Sequence, residues 1–244
     1  MAQTRVGVKP RPTSNIITDG LVLHLDAGNT SSYPGSGITW YDLSGNGNNG
    51  VLTNGPTFDS ANGGSISFDG VNDYVDCGDN YITKPTGDMS ISYWFKGKSS
   101  NNNASGIGTN GTSGLRGYLL GTDNSYTNFV SNPKMYFFIP NSASNLVKVS
   151  YDLTINTSLW YNIVGVYSPS TYIKIYLNGV EVATNTTSIP SSLYIGNGIS
   201  LKLGNRGDGS SFKGNISLFS LYHKSLSSSE VLQNYNATKG RFGL

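Results

Sequence analysis

Residues 172–183, Tyr-Ile-Lys-Ile-Tyr-Leu-Asn-Gly-Val-Glu-Val-Ala, constrain this chain more than any other stretch. Ile173, Ile175 and Leu177 alternate with Lys174 and Tyr176, and Val180 and Val182 bracket Glu181 on the far side of Asn178-Gly179. An Asn-Gly pair between two alternating runs specifies a two-residue hairpin turn of type I′, because both central residues must take positive φ. That turn pairs Leu177 with Val180 and Ile175 with Val182, so the register predicts four apolar side chains on one face. Turn chemistry and hydrophobic phase agree on an antiparallel hairpin, and the rest of the chain has to supply a sheet around it.

Composition supports a β architecture throughout. Of 244 residues only 12% are charged and 31 are Gly, with Ser, Thr and Asn crowding the connections, as suits many short strands joined by turns in one sandwich. A net charge of +2, with no Lys/Arg cluster interleaved with aromatics, argues against a nucleic-acid partner or an anionic membrane surface. The single cysteine, Cys77, leaves no internal disulfide framework and fits folding in a reducing cytosol. No apolar run approaches the roughly 20 residues of a membrane span, and the first residues lack the apolar core of a signal peptide, so neither a membrane partner nor classical export is expected.

Along the chain, residues 1–18 carry Arg5, Lys9, Arg11, Pro10 and Pro12 without hydrophobic periodicity. They read as an extended arm, either a loose tail or a segment that attaches to a neighbouring subunit through Arg5, Lys9 and Arg11. Residues 19–244 read as one domain. Leu21, Leu23 and Leu25 mark a first strand, with His24 a satisfied strand residue. Ile66 and Phe68 share one phase before Asp69-Gly70, and Met89, Ile91, Tyr93 and Phe95 share another, which leaves Trp94 on the opposite side. The 160–167 run is apolar in both phases, as a central strand covered on both faces would be. The phase shift between Ile216 and Phe219 predicts a bulge. Residues 99–117 read as an exposed loop. Ser227 and Glu230 have capping-box spacing ahead of Val231, Leu232 and Tyr235, which predicts a helix of about two turns.

These pieces, taken in order, resemble the laminin-G-like branch of the concanavalin A-like lectin/glucanase superfamily, in the form seen in tailed-bacteriophage virion proteins. The residues that carry the resemblance are Asp42-Leu43-Ser44-Gly45-Asn46-Gly47 with Asn49-Gly50, and Phe68-Asp69-Gly70 with Asn72-Asp73-Tyr74-Val75. They continue with Ser90-Ile91-Ser92 and Trp94, Trp160 ahead of Val164-Gly165-Val166-Tyr167, Tyr176 with Asn178-Gly179, Leu203-Gly204, and Lys213-Gly214-Asn215-Ile216. The match closes on Leu226-Ser227 with Glu230-Val231 and Asn234-Tyr235. It covers residues 21–237. Where relatives carry an acidic pair after Lys-Gly-x-Ile, this chain has Ser217-Leu218.

The resemblance implies an all-β jelly-roll sandwich of two antiparallel sheets with one short C-terminal helix, and a virion protein made in a host cytoplasm: a fibre, appendage or capsid decoration. Its expected partners are other virion proteins or symmetry mates, reached through the arm in a homo-oligomer, and cell-surface glycans. The alternative is a carbohydrate-binding module. Catalysis is not expected. Glycoside hydrolysis needs two carboxyls flanking the bond, and the only glutamates, Glu181 and Glu230, lie on the hairpin and in the helix cap. For sugar binding, the aromatic candidates are Trp40 and Tyr41, with Tyr33 and Tyr126 behind them; Trp40 reads equally as a buried loop anchor. Trp94 and Trp160 match core positions of the family. By analogy with relatives a structural Ca2+ is held by Asp42, Asn46, Asp69, Asn72 and Asp73. The same residues before Gly also read as plain turn chemistry without an ion.

Overall fold

The computed structural model describes residues 15–98, 105–108, 117–123, 134–142, 145–196, 198–205 and 211–244. Tyr126, the 99–117 loop apart from 105–108 and residue 117, and the arm residues Arg5, Lys9 and Arg11 lie outside the described residues. The strands are β1 (Leu21–Asp26), β2 (Thr39–Trp40), β3 (Gly50–Thr53), β4 (Thr57–Asp59), β5 (Ser65–Asp69), β6 (Tyr74–Asp76), β7 (Met89–Gly97) and β8 (Ser105–Gly108). Then follow β9 (Leu119–Asp123), β10 (Lys134–Ser142), β11 (Asn145–Asp152), β12 (Tyr161–Ser168), β13 (Tyr172–Leu177), β14 (Val180–Asn185), β15 (Lys202–Leu203) and β16 (Lys213–Tyr222). Helix α1 (Ser228–Thr238) follows them.

The strands form two antiparallel sheets. Sheet I runs β14-β13-β12-β7-β16-β5-β4 with β1 also paired to β16, and sheet II runs β11-β10-β9-β8-β15-β6-β3-β2. Their facing sides make one core. Leu52, Val75, Leu203, Leu120, Phe137 and Val149 come from sheet II, and Leu23, Leu25, Ile66, Phe68, Ile91, Tyr93, Phe95, Ile163, Ile175 and Phe219 from sheet I. The sheets approach closely at Gly165, where a Cβ would sit 2.9 Å from the Phe137 ring. This is the all-β sandwich that the hairpin and the turn-rich composition require.

The strands that read as apolar in both phases are the central ones of sheet I. In β7 and β12 nearly every residue is buried, because the outer face of this sheet is also covered. Its cover is the C-terminal segment. Trp94, on the outer side, stacks on Phe242 at 4.1 Å between ring centroids and on Tyr235 at 5.7 Å, and its indole N–H donates to Thr238 Oγ1 at 2.9 Å. Trp160 packs against the same Phe242. Val164, Val166, Tyr176 and Tyr222 meet Val231 and Leu226. The capping box forms as the spacing predicts, with Ser227 Oγ accepting from the Glu230 amide. The helix runs 11 residues, about three turns at 3.6 residues each rather than two.

Two local readings meet different fates. The bulge in β16 is present: its register against β7 shifts between Ile216 and Leu218, which leaves Ser217 as the extra residue. The hairpin turns at Asn178 (φ 50°) and Gly179 (φ 81°) as type I′ demands, and Leu177 pairs with Val180. Beyond Tyr176–Glu181, however, a bulge intervenes and Ile175 pairs with Ala183, not Val182. The four apolar side chains therefore do not share a buried face: Ile175 is fully buried while Val180 is 62% exposed. The shift lets Glu181 accept from Lys174, Tyr176 and Thr184 together, which a straight ladder would have kept apart.

The Gly165 contact makes a direct prediction. Gly165→Ala should cost about 1–3 kcal/mol, the usual range for overpacking a dense core, despite the ordinary preference of a strand for Ala over Gly. Urea denaturation of the variant measures it, and a neutral result would mean the sheets separate easily at this point.

Candidate functional site

The 42–49 loop shows how the chain positions its polar groups. Strand β1 pairs with β16 on one edge only, so its other edge has exposed backbone groups that need partners. Asp42 supplies them. Its Oδ1 accepts from the His24 amide and the Ser44 amide, both at 2.8 Å, and its Oδ2 accepts from Ser44 Oγ at 2.7 Å and the Asn48 amide at 3.0 Å. The Leu43 amide donates to the His24 carbonyl, and Asn48 Nδ2 and Ser44 Oγ donate to the Val22 carbonyl. The Asp-Leu-Ser-Gly-Asn-Gly run is a side-chain substitute for a missing neighbour strand.

That accounting bears on the calcium ligands. Asp42 spends both oxygens on four donors, and Asn46 uses its amide nitrogen on Ser44 Oγ and the β1 carbonyls. Asp69, Asn72 and Asp73 belong to the separate β5–β6 turn. Asp69 Oδ1 accepts from the Val71 amide at 2.7 Å, Asp73 Oδ2 from the Asp69 amide at 2.9 Å, and the Asn72 carbonyl from Asn54. The five residues form two hydrogen-bonded turns rather than one shell. No group of three or more His, Cys, Asp or Glu converges on a metal position among the described residues. The hydrogen bonds these residues make are those of Asx turns, which place Asp and Asn before Gly.

The aromatic candidates separate by burial. Trp40 is fully buried in the core, so it cannot serve as a sugar platform, and its indole N–H has no hydrogen-bond partner among the described residues. Tyr33 is also buried; its hydroxyl donates to the Gly37 carbonyl and its ring packs 5.4 Å from that of Phe58. Tyr41 is 46% exposed. The backbone alternates here, and Trp40 faces inward from β2 while its neighbour is left on the surface.

Next to Tyr41 lies a groove of about 470 Å3 on the outer face of sheet II. Val51 and Thr53 of β3 and Asp76 of β6 form its floor, since Leu52 and Val75 between them face the core. Asn48 and Asn49 wall one side, and Asn80 and Ser200 the other. Asn49 Oδ1 accepts from the Asp42 amide at 2.9 Å, and Asn80 Nδ2 donates to Asn48 Oδ1 at 3.3 Å, so the walls are tied to the Asp42 loop and to one another. Asn80 Oδ1 also caps the short turn of Tyr81–Thr83, whose first residue, Tyr81, is 82% exposed. Asn49 Nδ2, Asp76 Oδ2 and Ser200 Oγ have no protein partner among the described residues. An open recess lined with amide, carboxylate and hydroxyl groups can hold a polyhydroxylated ligand. Of these residues sequence reading found only Tyr41, because the rest meet through the β3–β6 register and the turn before β15, neither of which leaves a local motif.

Near the groove, burial pushes the Cys77 thiol far up, so it stays protonated. On the outer side of sheet I, burial lowers the His24 pKa below 6.5, an effect the Asp26 and Asp42 charges partly oppose, and its Nδ1 lies 2.9 Å from Ser220 Oγ.

The comparisons with known proteins agree with this architecture. A family model of laminin G type, described as the concanavalin A-like lectin/glucanases superfamily, matches residues 69–232, and the chain belongs to that superfamily. Among solved structures it is similar to the binding domain of Paraclostridial Mosquitocidal Protein 1, with a TM-score of 0.66 and 16% identity over 90% of this chain and 52% of that one. It is similar to domain 4 of AbnA, a GH43 extracellular arabinanase from Geobacillus stearothermophilus solved with arabinotriose, with a TM-score of 0.63 and 19% identity over 88% of this chain and 98% of that one. The ligand-binding domain of botulinum neurotoxin serotype D, solved with N-acetylneuraminic acid, gives a TM-score of 0.66 and 15% identity over 90% and 51%. The chain thus spans about half the length of the two toxin domains. At these identities the likeness establishes the fold. No curated protein sequence matches the chain.

Two outcomes test this site's chemistry. A folded-state His24 pKa below the unfolded value means the unfolded chain binds the proton more readily, so stability should be full above pH 6.5 and fall as pH drops through it. Calorimetric melting from pH 8 to pH 5 measures this, and His24→Gln should flatten the profile. Adding a calcium chelator should leave the melting temperature unchanged, and a fall of several degrees would show that these turns hold an ion after all.

Proposed function

We propose, from membership in the concanavalin A-like superfamily and the geometry of the groove, that this chain is a non-catalytic adhesion protein. It recognises glycans on sheet II and is carried on a phage particle, as a fibre, appendage or capsid decoration, by its N-terminal arm. The observation that carries this reading is the opposition of two faces. The Ile17 amide donates to Asn234 Oδ1 at 2.7 Å, the Tyr222 hydroxyl donates to the Ile17 carbonyl, and Gln233 Nε2 donates to the Asn15 carbonyl at 3.0 Å. Residues 15–17 therefore lie along α1, on the outer side of sheet I, while the groove opens on the outer side of sheet II. A chain tethered through its arm presents the groove outward.

The chemistry of the groove favours sugar hydroxyls over an apolar ligand, since its free groups are an amide, a carboxylate and a hydroxyl. Arabinotriose and N-acetylneuraminic acid, present in two of the similar structures, are saccharides bound by domains of this fold. The non-catalytic part rests on the glutamates. Glu181 is held by Lys174 and Thr184, and Glu230 by Ser227 and Lys224, and both lie on sheet I or its helix, away from the groove. The arm would join copies of the chain into a homo-oligomer or fix them to other virion proteins.

Titration calorimetry with arabino-, gluco- and galacto-oligosaccharides tests the reading. Asp76→Asn with Ser200→Ala should weaken binding about tenfold, or ~1.4 kcal/mol, with the melting temperature little changed because both residues line the open groove and Asp76 Oδ1 keeps an acceptor for the Gly78 amide. No binding by the parent protein, or equal binding by the variant, would remove the groove as the site.

A further inference from the structure

A second recess of about 400 Å3 lies at the rim of the sandwich, where the chain crosses from β3 to β4. It is lined by Thr57, Ser67, Asp69, Asp73, Lys98 and Lys213, together with Asn54 and Gly55 of the crossing itself. Thr53 lines the groove and Asn54 lines this pocket, so the two recesses are neighbours along one connection.

Its charges are not equally compensated. Asp69 Oδ1 accepts from the Val71 amide and Asp73 Oδ2 from the Asp69 amide, so one oxygen of each carboxylate is used by their own backbone turn, while Asp73 Oδ1 lies toward Gly55 on the pocket side. The lysines receive no such relief. Lys98 Nζ donates to a neutral hydroxyl, Ser67 Oγ, at 2.8 Å. Lys213 forms no ion pair or hydrogen bond through its ammonium among the described residues, although Asp69 is its cross-strand neighbour. The two lysines are held together because the Lys98 amide donates to the Lys213 carbonyl at 3.0 Å. The Lys213 stem is seated against Gly70 (φ +83°), where a Cβ would come within 2.8 Å of Lys213 Cβ. Two exposed ammonium groups on adjacent strands beside a pair of hydroxyls, Thr57 and Ser67, offer donors to an anion that also carries hydroxyl groups.

We propose that this rim pocket is an anion subsite that selects acidic saccharides, taking a uronate carboxylate or a sulfate ester on Lys98 and Lys213 while the rest of the chain lies in the groove. The inference rests on the glycan-binding reading and adds the class of glycan to it. Lysine contacts at an exposed rim are screened by salt, so the preference for the anion is greatest at low ionic strength.

Titration calorimetry on the full chain decides it, using an oligogalacturonate, its carboxyl-reduced neutral counterpart and a sulfated oligosaccharide of the same length. The acidic ligand should bind about tenfold or more tightly than the neutral one at low salt, and the advantage should shrink at high salt. Lys98→Gln with Lys213→Gln should erase the advantage while neutral binding and the melting temperature persist; the charge-reversed Lys213→Glu should invert it. Whichever of carboxylate and sulfate keeps the advantage identifies the anion. Equal affinity for acidic and neutral ligands, or an advantage that survives both variants, overturns the anion subsite and leaves the groove reading intact. Failure of every saccharide to bind overturns both.

Discussion

Strand β16 is the constraint on which the rest of the structure depends. One of its edges pairs with β7 along its length, while the other is shared, its first half by β5 and its second by β1. Two strands cannot abut one edge without a gap between them, and the gap falls at Ser217, the bulged residue. Arg241 fills it. Its guanidinium reaches Asp26 at the end of β1, the Gly64 carbonyl just before β5, and Ser217 Oγ itself, while its Nε donates to the Asn62 carbonyl. A planar group with five donors suits a site where the end of β1, the approach to β5 and the bulge of β16 bring several acceptors together. The bulge, the forked edge and the C-terminal latch are thus one device.

From that device follows the asymmetry between the faces. The helix that delivers Arg241 and Phe242 also covers the outer side of sheet I, so Trp94, Val164 and Val166 are buried on the side that a free sheet would expose. Among the described residues no α-helix lies over β3 and β6 of sheet II, and the outward-facing Val51 is 42% exposed. Function has room only where cover is missing, and both recesses lie at that end of sheet II and its rim.

How far the sequence could be read depended on whether a signal was local. Asn178-Gly179, the Ser227/Glu230 box and the phase break at Ile216–Phe219 state their geometry within a few residues, and each appears in the structure. The double-phase burial of β7 and β12 was legible because two apolar faces imply two covers. Val182 misled, since a bulge that lets Glu181 gather three donors is a tertiary outcome which alternation does not encode. Trp40 and Tyr41 were indistinguishable as neighbours until β2 assigned one to each face. Asp42 and Asp73 have a composition shared by ion sites and Asx turns, and only the structure shows which backbone amides they accept from. The groove walls Asn49, Asn80 and Ser200 are ordinary loop residues in sequence, and only the strand order brings them together.

The pairing of β1 with β16 has a consequence for how the chain is made. During synthesis residues 21–26 emerge almost two hundred residues before their partners, and Leu23, Leu25 and Trp94 wait without the surfaces that will bury them. Sheet I cannot complete its pairing until residues 218–222 have been made, so these long-range contacts form together rather than progressively. With so little charge to repel its neighbours on the same message, a long, half-finished β chain depends on its frequent Gly and Asn turns to keep exposed strands short.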